Sequence, residues 1–224
     1  MPDLFKKTTI KELIAPSGID VSNVDRLEII SNMKRYARSF FVSTLPRMCT
    51  FPELFRDMYL FGDINTSVYI NPIPESRSQN ELNRVINELE TERIVAADKG
   101  NINRESNLSQ KRLEAEQLRD EIAAGYNKLF EASVVTTLFT YNLEDLEKQT
   151  KLLATEMSKS LVGIKSAWAI QEEAFKSNLP LMENKIGKVH TFDRRSMATA
   201  FPFTTSEVGH STGVPLGFNK QTGT

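Results

Sequence analysis

The sequence predicts an α+β fold: a ferredoxin-like sheet of two split βαβ units, with a long antiparallel helical hairpin inserted between them. Three observations carry this. Strand, helix, strand recurs in both halves, at 36–45, 51–61 and 65–71, then at 129–141, 143–159 and 160–167. The strand segments are rich in β-branched and aromatic residues, whereas the helical ones space apolar residues every three or four positions. The segment between the halves, 76–127, is polar with two thin apolar stripes, as in a helical pair.

The elements follow in order. Residues 1–25 form a lead-in, with a helical turn at TIKELI and breakers at Pro16 and Gly18. RLEIIS and YARSFFVSTL read as strands joined by a turn at Asn32-Met33-Lys34. In the second, Phe40 and Val42 face one way and Phe41 and Leu45 the other, so the strand belongs inside a sheet covered on both sides. FPELFRDMYLF (51–61) is a helix with Thr50 as N-cap and Gly62 as its stop, and INTSVYINPIP is the next strand. Ser78-Gln-Asn-Glu81 matches a capping box ahead of a helix with Leu82, Val85, Ile86 and Leu89 on one stripe. DKGNINRESN is a polar turn, and a second helix from about Leu108 carries Ala115, Leu118, Ile122 and Tyr126 on one face. After the strand 129–141, Asn142 caps an amphipathic helix, SLVGIKSAW is a strand and AIQEEAFKSN a short helix. Beyond Pro180 the chain is irregular.

Composition sets bounds on function. The 224 residues are 40% hydrophobic and 25% charged, which suits a globular domain. A net charge of −1 supplies no field to draw the chain to nucleic acid or anionic lipid. Cys49 is the single cysteine, which excludes an intramolecular disulfide, fits a reducing compartment and reads as a structural thiol. No apolar run approaches the ~18 residues of a membrane span.

No pattern nominates a catalytic centre. Gly217-Phe-Asn-Lys220 and Gly187-Lys188 both miss the glycine spacing with which backbone N–H groups wrap a phosphate. His190 and His210 lie twenty positions apart without a cysteine companion, so neither reads as a metal ligand. Glu90/Glu92 and Glu172/Glu173 sit beside Lys and Arg and read as solvated faces. SFFVSTL lacks the basic residue and glycines of an RNA-binding octamer, so Phe40 and Phe41 are assigned to the core.

Two late stretches are more specific: QEEAFKSNLPL (171–181) and RRSMATAFPFTTSEVGHSTGVPLGFNKQTG (194–223). With KRYARSFFVSTLP before them, their order resembles the traffic ATPases of type IV secretion and conjugation (TrbE/TraC/CagE-like). In that family an N-terminal α/β domain leads into a RecA-like motor. The matching positions are Gln171, Phe175, Ser177, Leu179, Pro180, Arg195, Pro202, Phe203, Gly213, Gly217, Asn219 and Gly223. Of these, Gln171, Phe175, Pro180, Arg195, Pro202, Phe203, Gly213 and Gly217 are the candidate motor-linking and partner-binding residues.

The resemblance implies a division into a lead-in (1–25), a ferredoxin-like domain with its hairpin insert (26–180) and a linker opening into a motor domain (181–224). It implies a bacterial fragment that is not itself an enzyme and binds no cofactor, the ATP and Mg belonging to a longer parent ATPase. The expected role is docking: a cytoplasmic domain, peripheral at the inner face of the plasma membrane, linking the motor to inner-membrane channel components and to other copies of the parent. Direct nucleic-acid binding is not expected. The alternatives are a stand-alone adaptor using its helical hairpin and, more weakly, a nucleic-acid-binding module.

Overall fold

The computed structural model describes residues 16–201 apart from 32, 48, 50 and 51. Seven strands form one antiparallel sheet: β1 (Gly18–Asp20), β2 (Leu27–Ile30), β3 (Arg35–Thr44), β4 (Ile64–Pro72), β5 (Leu129–Thr140), β6 (Gly163–Ser166) and β7 (His190–Asp193). The helices are α1 (Arg56–Tyr59), α2 (Glu75–Asp98), α3 (Ile102–Ala123), α4 (Leu143–Lys159), α5 (Gln171–Asn178) and α6 (Arg194–Thr199).

The central order is β6-β3-β5-β4 with every neighbour antiparallel, the ferredoxin-like order predicted from the repeated halves. Two strands are shared lengthwise. β2 and β6 divide one side of β3, and β3 and β7 divide one side of β5.

β3 and β5 are buried on both faces, which explains why their apolar residues run on rather than alternate with polar ones. One face carries α1 and α4. There Phe40, Val42, Leu54, Phe55, Met58, Leu138, Leu146, Leu153 and Met157 form the main core. The other face carries α5, where Ala174 meets Val135 and Ala167, and Phe175 stands edge-on to Phe139 with ring centroids 6.4 Å apart. Phe40 and Phe41 are therefore core residues, one on each face.

Several hydroxyls inside the sheet are paired across strands, although that of buried Ser133 in β5 has no partner among the described residues. Ser39 and Thr137 share a 2.8 Å hydroxyl bond, as do Thr66 and Thr136. Arg38, 5% exposed, lies in β3 beneath α4. Its Nε donates to the Asp25 carbonyl, and its terminal nitrogens reach Asp25 at 2.7 Å, Glu147 at 2.6 Å and Thr150 at 3.1 Å. A buried guanidinium needs this full set of acceptors to offset its desolvation.

The hairpin inserted between the halves projects. α2 and α3 pack on each other and scarcely touch any other element. At the base Leu82 and Ile122 close over Ile73 and Leu129, a small cluster separate from the main core. At 24 residues α2 is about 36 Å long.

Several expectations are corrected. Leu45 joins the Phe40 face, because a register shift between Val42 and Thr44 reverses the alternation. At that shift the Thr44 side chain sits close over Gly163: a Cβ there would lie 2.0 Å from Thr44 Oγ1. The α-helix predicted over 51–61 shrinks to one turn, preceded by turns in which Glu53 takes φ 65°. The helix ends at Tyr59 with Leu60 as its C-cap, before the expected stop at Gly62, which takes φ 50° in the turn that follows; Thr50 falls outside the described residues. The capping box is not one. α2 starts at Glu75, and Ser78 is buried inside it, its hydroxyl bonded back to the Pro74 carbonyl. α3 begins at Ile102, capped by Asn101, and Tyr126 stands exposed beyond its end. Asn142 occupies the N-cap position of α4, but its amide donates to Asp145 instead of accepting from the helix. The lead-in contributes β1, and the stretch after Pro180 contributes β7 and α6, with Phe192 and Ala200 in the main core. The TIKELI turn lies outside the described residues.

Candidate docking edge

Among the described residues β1, β4, β6 and β7 each have a single strand partner, and β4 differs in kind from the others, which have three or four residues. β1 is three residues, Gly-Ile-Asp, too short to template another strand and marked by a charge. β4 runs nine residues, Ile-Asn-Thr-Ser-Val-Tyr-Ile-Asn-Pro, with no charged side chain, and among the described residues its only strand partner is β5. Natural edges are ordinarily blunted by lysine, by shortness or by a cover. Apart from its terminal proline, β4 has none of these.

A hollow flanks this edge on each face of the sheet. On the α5 face, about 570 Å³ is bounded by Ser67, Tyr69 and Asn71 with Leu179, Pro180 and Met182. Its wall is pinned to the sheet. The Tyr69 hydroxyl donates to the Ser177 carbonyl at 2.5 Å and lies 3.0 Å from that of Glu183. Asn178 donates to the carbonyls of Asn65 and Val135 at 2.8 and 3.0 Å. Partial burial, with the Glu183 carboxylate second, raises the Tyr69 hydroxyl above its ordinary range, so at neutral pH it stays a donor. The opposite face carries a more apolar hollow of about 430 Å³, lined by Val68, Ile70, Phe130, Met197, Ala200 and Phe201. Tyr59 holds that wall by donating to the Ala200 carbonyl at 3.0 Å, and burial pushes its hydroxyl up to about 12. Ile70 is 47% and Met182 92% exposed, so apolar surface stands at the rim on both sides.

The sequence-nominated residues separate into three groups. Gln171 is a bracket in the core rather than a surface linker. Its Oε1 accepts from Ser39 N at 2.8 Å, and its Nε2 donates to the Ser39 carbonyl and the Ser166 hydroxyl. Phe175 likewise packs inward on Phe139. Pro180 does reach the surface, on the wall of the first hollow. Arg195 is exposed at the foot of the hairpin, in a cleft with Glu121 and Asn127. Pro202, Phe203, Gly213 and Gly217 lie outside the described residues.

Other groups are occupied structurally. The His190 imidazole bonds the Val42 carbonyl at 3.0 Å. Among the described residues no three His, Cys, Asp or Glu side chains converge as a metal site. The Cys49 thiol is half-buried and raised above its ordinary value by burial and by nearby Asp193, so it is not a poised thiolate. Burial alone would raise Asp193, but hydrogen bonds from Ser196, Asn127 and Arg195 outweigh it and hold the carboxyl low, as suits the cap of α6. Glu172 pairs with Lys176 on a solvated face as expected, whereas the Glu90–Arg93 pair is half-buried. No helix among the described residues is long and apolar enough to cross a membrane.

Sequence reasoning missed the β4 edge as a site. Its signal was visible in INTSVYINP, a nine-residue strand free of charge and ended by Pro72 and Pro74. No protein-family model matches the chain, and no curated protein matches it.

Proposed function

We propose that this chain is a non-catalytic docking and assembly domain of a conjugative type IV secretion ATPase. It links a cytoplasmic motor to inner-membrane channel components, lies peripherally at the inner face of the plasma membrane, and leaves ATP and Mg to the motor. One observation carries the reading. The uncharged edge of β4 is walled on both faces by 179–182 and 197–201, which belong to or border the stretches that carry the family resemblance. An open edge supplies main-chain hydrogen bonds to an added strand, and flanking hollows take its alternate side chains.

A photo-crosslinking amino acid at Ile70, in cells bearing the transfer apparatus, tests this. Products containing a channel subunit or the parent ATPase are expected. Products containing only nucleic acid, or only proteins unrelated to secretion, overturn it. The adaptor reading is favoured by a different observation: Ile94, Val95 and Ile102 are 48%, 45% and 76% exposed near the hairpin turn. The same probe at Ile102 distinguishes the two, since an adaptor cross-links there and not at Ile70.

A further inference from the structure

We infer that β4 pairs with β4 of a second copy of this chain, antiparallel about a two-fold axis, to join two sheets into one. The inference rests on the reading of β4 as a docking edge and names its occupant.

Three features select a second copy. The first is length. A head-to-tail contact between copies would have to lay β4 against β1, β6 or β7, which offer three or four residues for nine; only another β4 matches the full strand. The second is charge. In an antiparallel two-fold pairing residues at and beside the axis lie close to their own copies, so a lysine or glutamate near the middle of the strand would repel its image. Ile64–Pro72 contains none, a pattern a self-pairing edge needs and a solvated edge does not. The third is closure. After β4 pairs with β4, the strands left with one partner are β1, β6 and β7, of three or four residues, too short to recruit a third copy, so the assembly stops at two rather than growing into a fibre. Pro72, which lacks an N–H, falls at the strand end where it removes least from the new ladder. Ile70 and Val68, on one face, and Tyr69, on the other, would be covered together with the rims at Met182 and Phe201.

The test uses the full 224-residue chain. Sedimentation equilibrium across micromolar to millimolar concentrations is expected to reach twice the chain mass of 25.4 kDa and to go no higher. Amide exchange over 64–72 should slow as concentration rises. Ile70→Lys places a charge on the edge at an already exposed site and should return the protein to monomer with unchanged circular dichroism. Ile30→Lys, at the far side of the sheet and 48% exposed, should leave the dimer intact. A chain that stays monomeric throughout, a dimer that survives Ile70→Lys, or concentration-dependent protection at β1 instead of β4 overturns the inference. The monomer result together with an Ile70 cross-link to a channel subunit would leave the docking reading standing.

Discussion

The sheet body and the helical hairpin are held together by different forces. In the body, Phe55, Met58, Leu146, Leu153 and Met157 are all 0% exposed and belong to one cluster. In the hairpin, helices of 24 and 22 residues bury few apolar side chains, chiefly Leu82, Ile86, Ala96, Leu108 and Ile122. Between these run ion pairs in contact with solvent: half-buried ones from Arg93 to Glu90 and Glu105 and from Arg112 to Glu116, and an exposed one from Arg104 to Glu92. Apolar burial contributes about 25 cal/mol per Å², whereas a solvated ion pair contributes about 0–1 kcal/mol. Stability therefore resides in the body, and the hairpin is an appendage joined through the Ile73–Leu82–Ile122–Leu129 cluster and the Arg77–Glu131 pair.

The largest effect expected from that contrast is Phe55→Ala. The ring sits edge-on to Tyr59 with centroids 6.3 Å apart, between the sheet and α4. Emptying such a site costs about 3–5 kcal/mol. Urea unfolding followed by circular dichroism measures it. A loss under about 1 kcal/mol would mean that the body is not the stable unit.

A smaller effect is expected where the body uses charge. Removing one partner of a fully buried ion pair costs about 3–5 kcal/mol, but Asp25 and Glu147 are 35% and 50% exposed and can rehydrate. Arg38→Met should therefore cost about 2 kcal/mol at neutral pH. The pH dependence carries the sign. The Arg38 hydrogen bond holds the Glu147 carboxyl below its ordinary value, so its contribution is present above the carboxylate range and is lost as pH falls through the lowered folded value. Arg38→Met should flatten that acid loss in urea midpoints compared at about pH 7 and about pH 3, below the ordinary carboxylate range. An unchanged slope would show that Asp193 and other carboxylates dominate acid unfolding.

Much of the body is legible in the sequence, for reasons visible in individual residues. β3 and β5 are long, with Phe40, Val42, Val134 and Leu138 on one face and Phe41 and Val135 on the other, so composition and length both report buried strands. The topology follows from the repeated strand–helix–strand order. What stayed hidden depends on tertiary partners. The register shift at Val42–Thr44 lies in the pairing with β6 at Gly163–Ser166, more than a hundred positions away. β7 has four residues, too few for any period to show, and is a strand because β5 has an unfilled segment at 129–132. Ser78 resembles a cap because nothing local says that Pro74, with extended backbone, already starts the helix. Gln171 was nominated as a linker, but its value is the backbone of Ser39 that it brackets. Of the candidate site, Pro180 was found at the surface, while the β4 edge beside it was read only as a strand.

The smallest effect concerns how far hairpin and body are separable. Replacing Asn87–Glu116 with a short glycine-containing turn keeps Leu82, Ile86, Leu118 and Ile122, and so keeps the lid over Ile73 and Leu129. It removes the ion-pair ladder and one described contact to the body, the exposed Arg47–Glu114 pair at 3.7 Å. Shortening a connection changes loop-closure entropy by only about 0.6 kcal/mol per halving of length. The body's unfolding free energy should therefore stay within about 1 kcal/mol of the full chain, measured by urea denaturation. Excising 76–127 entirely should do more harm, since it uncovers Ile73 and Leu129. If the shorter excision destabilises the protein as much as the longer one, the distal hairpin is part of the folding unit. The division between a body held by burial and an appendage held by its own seam then fails.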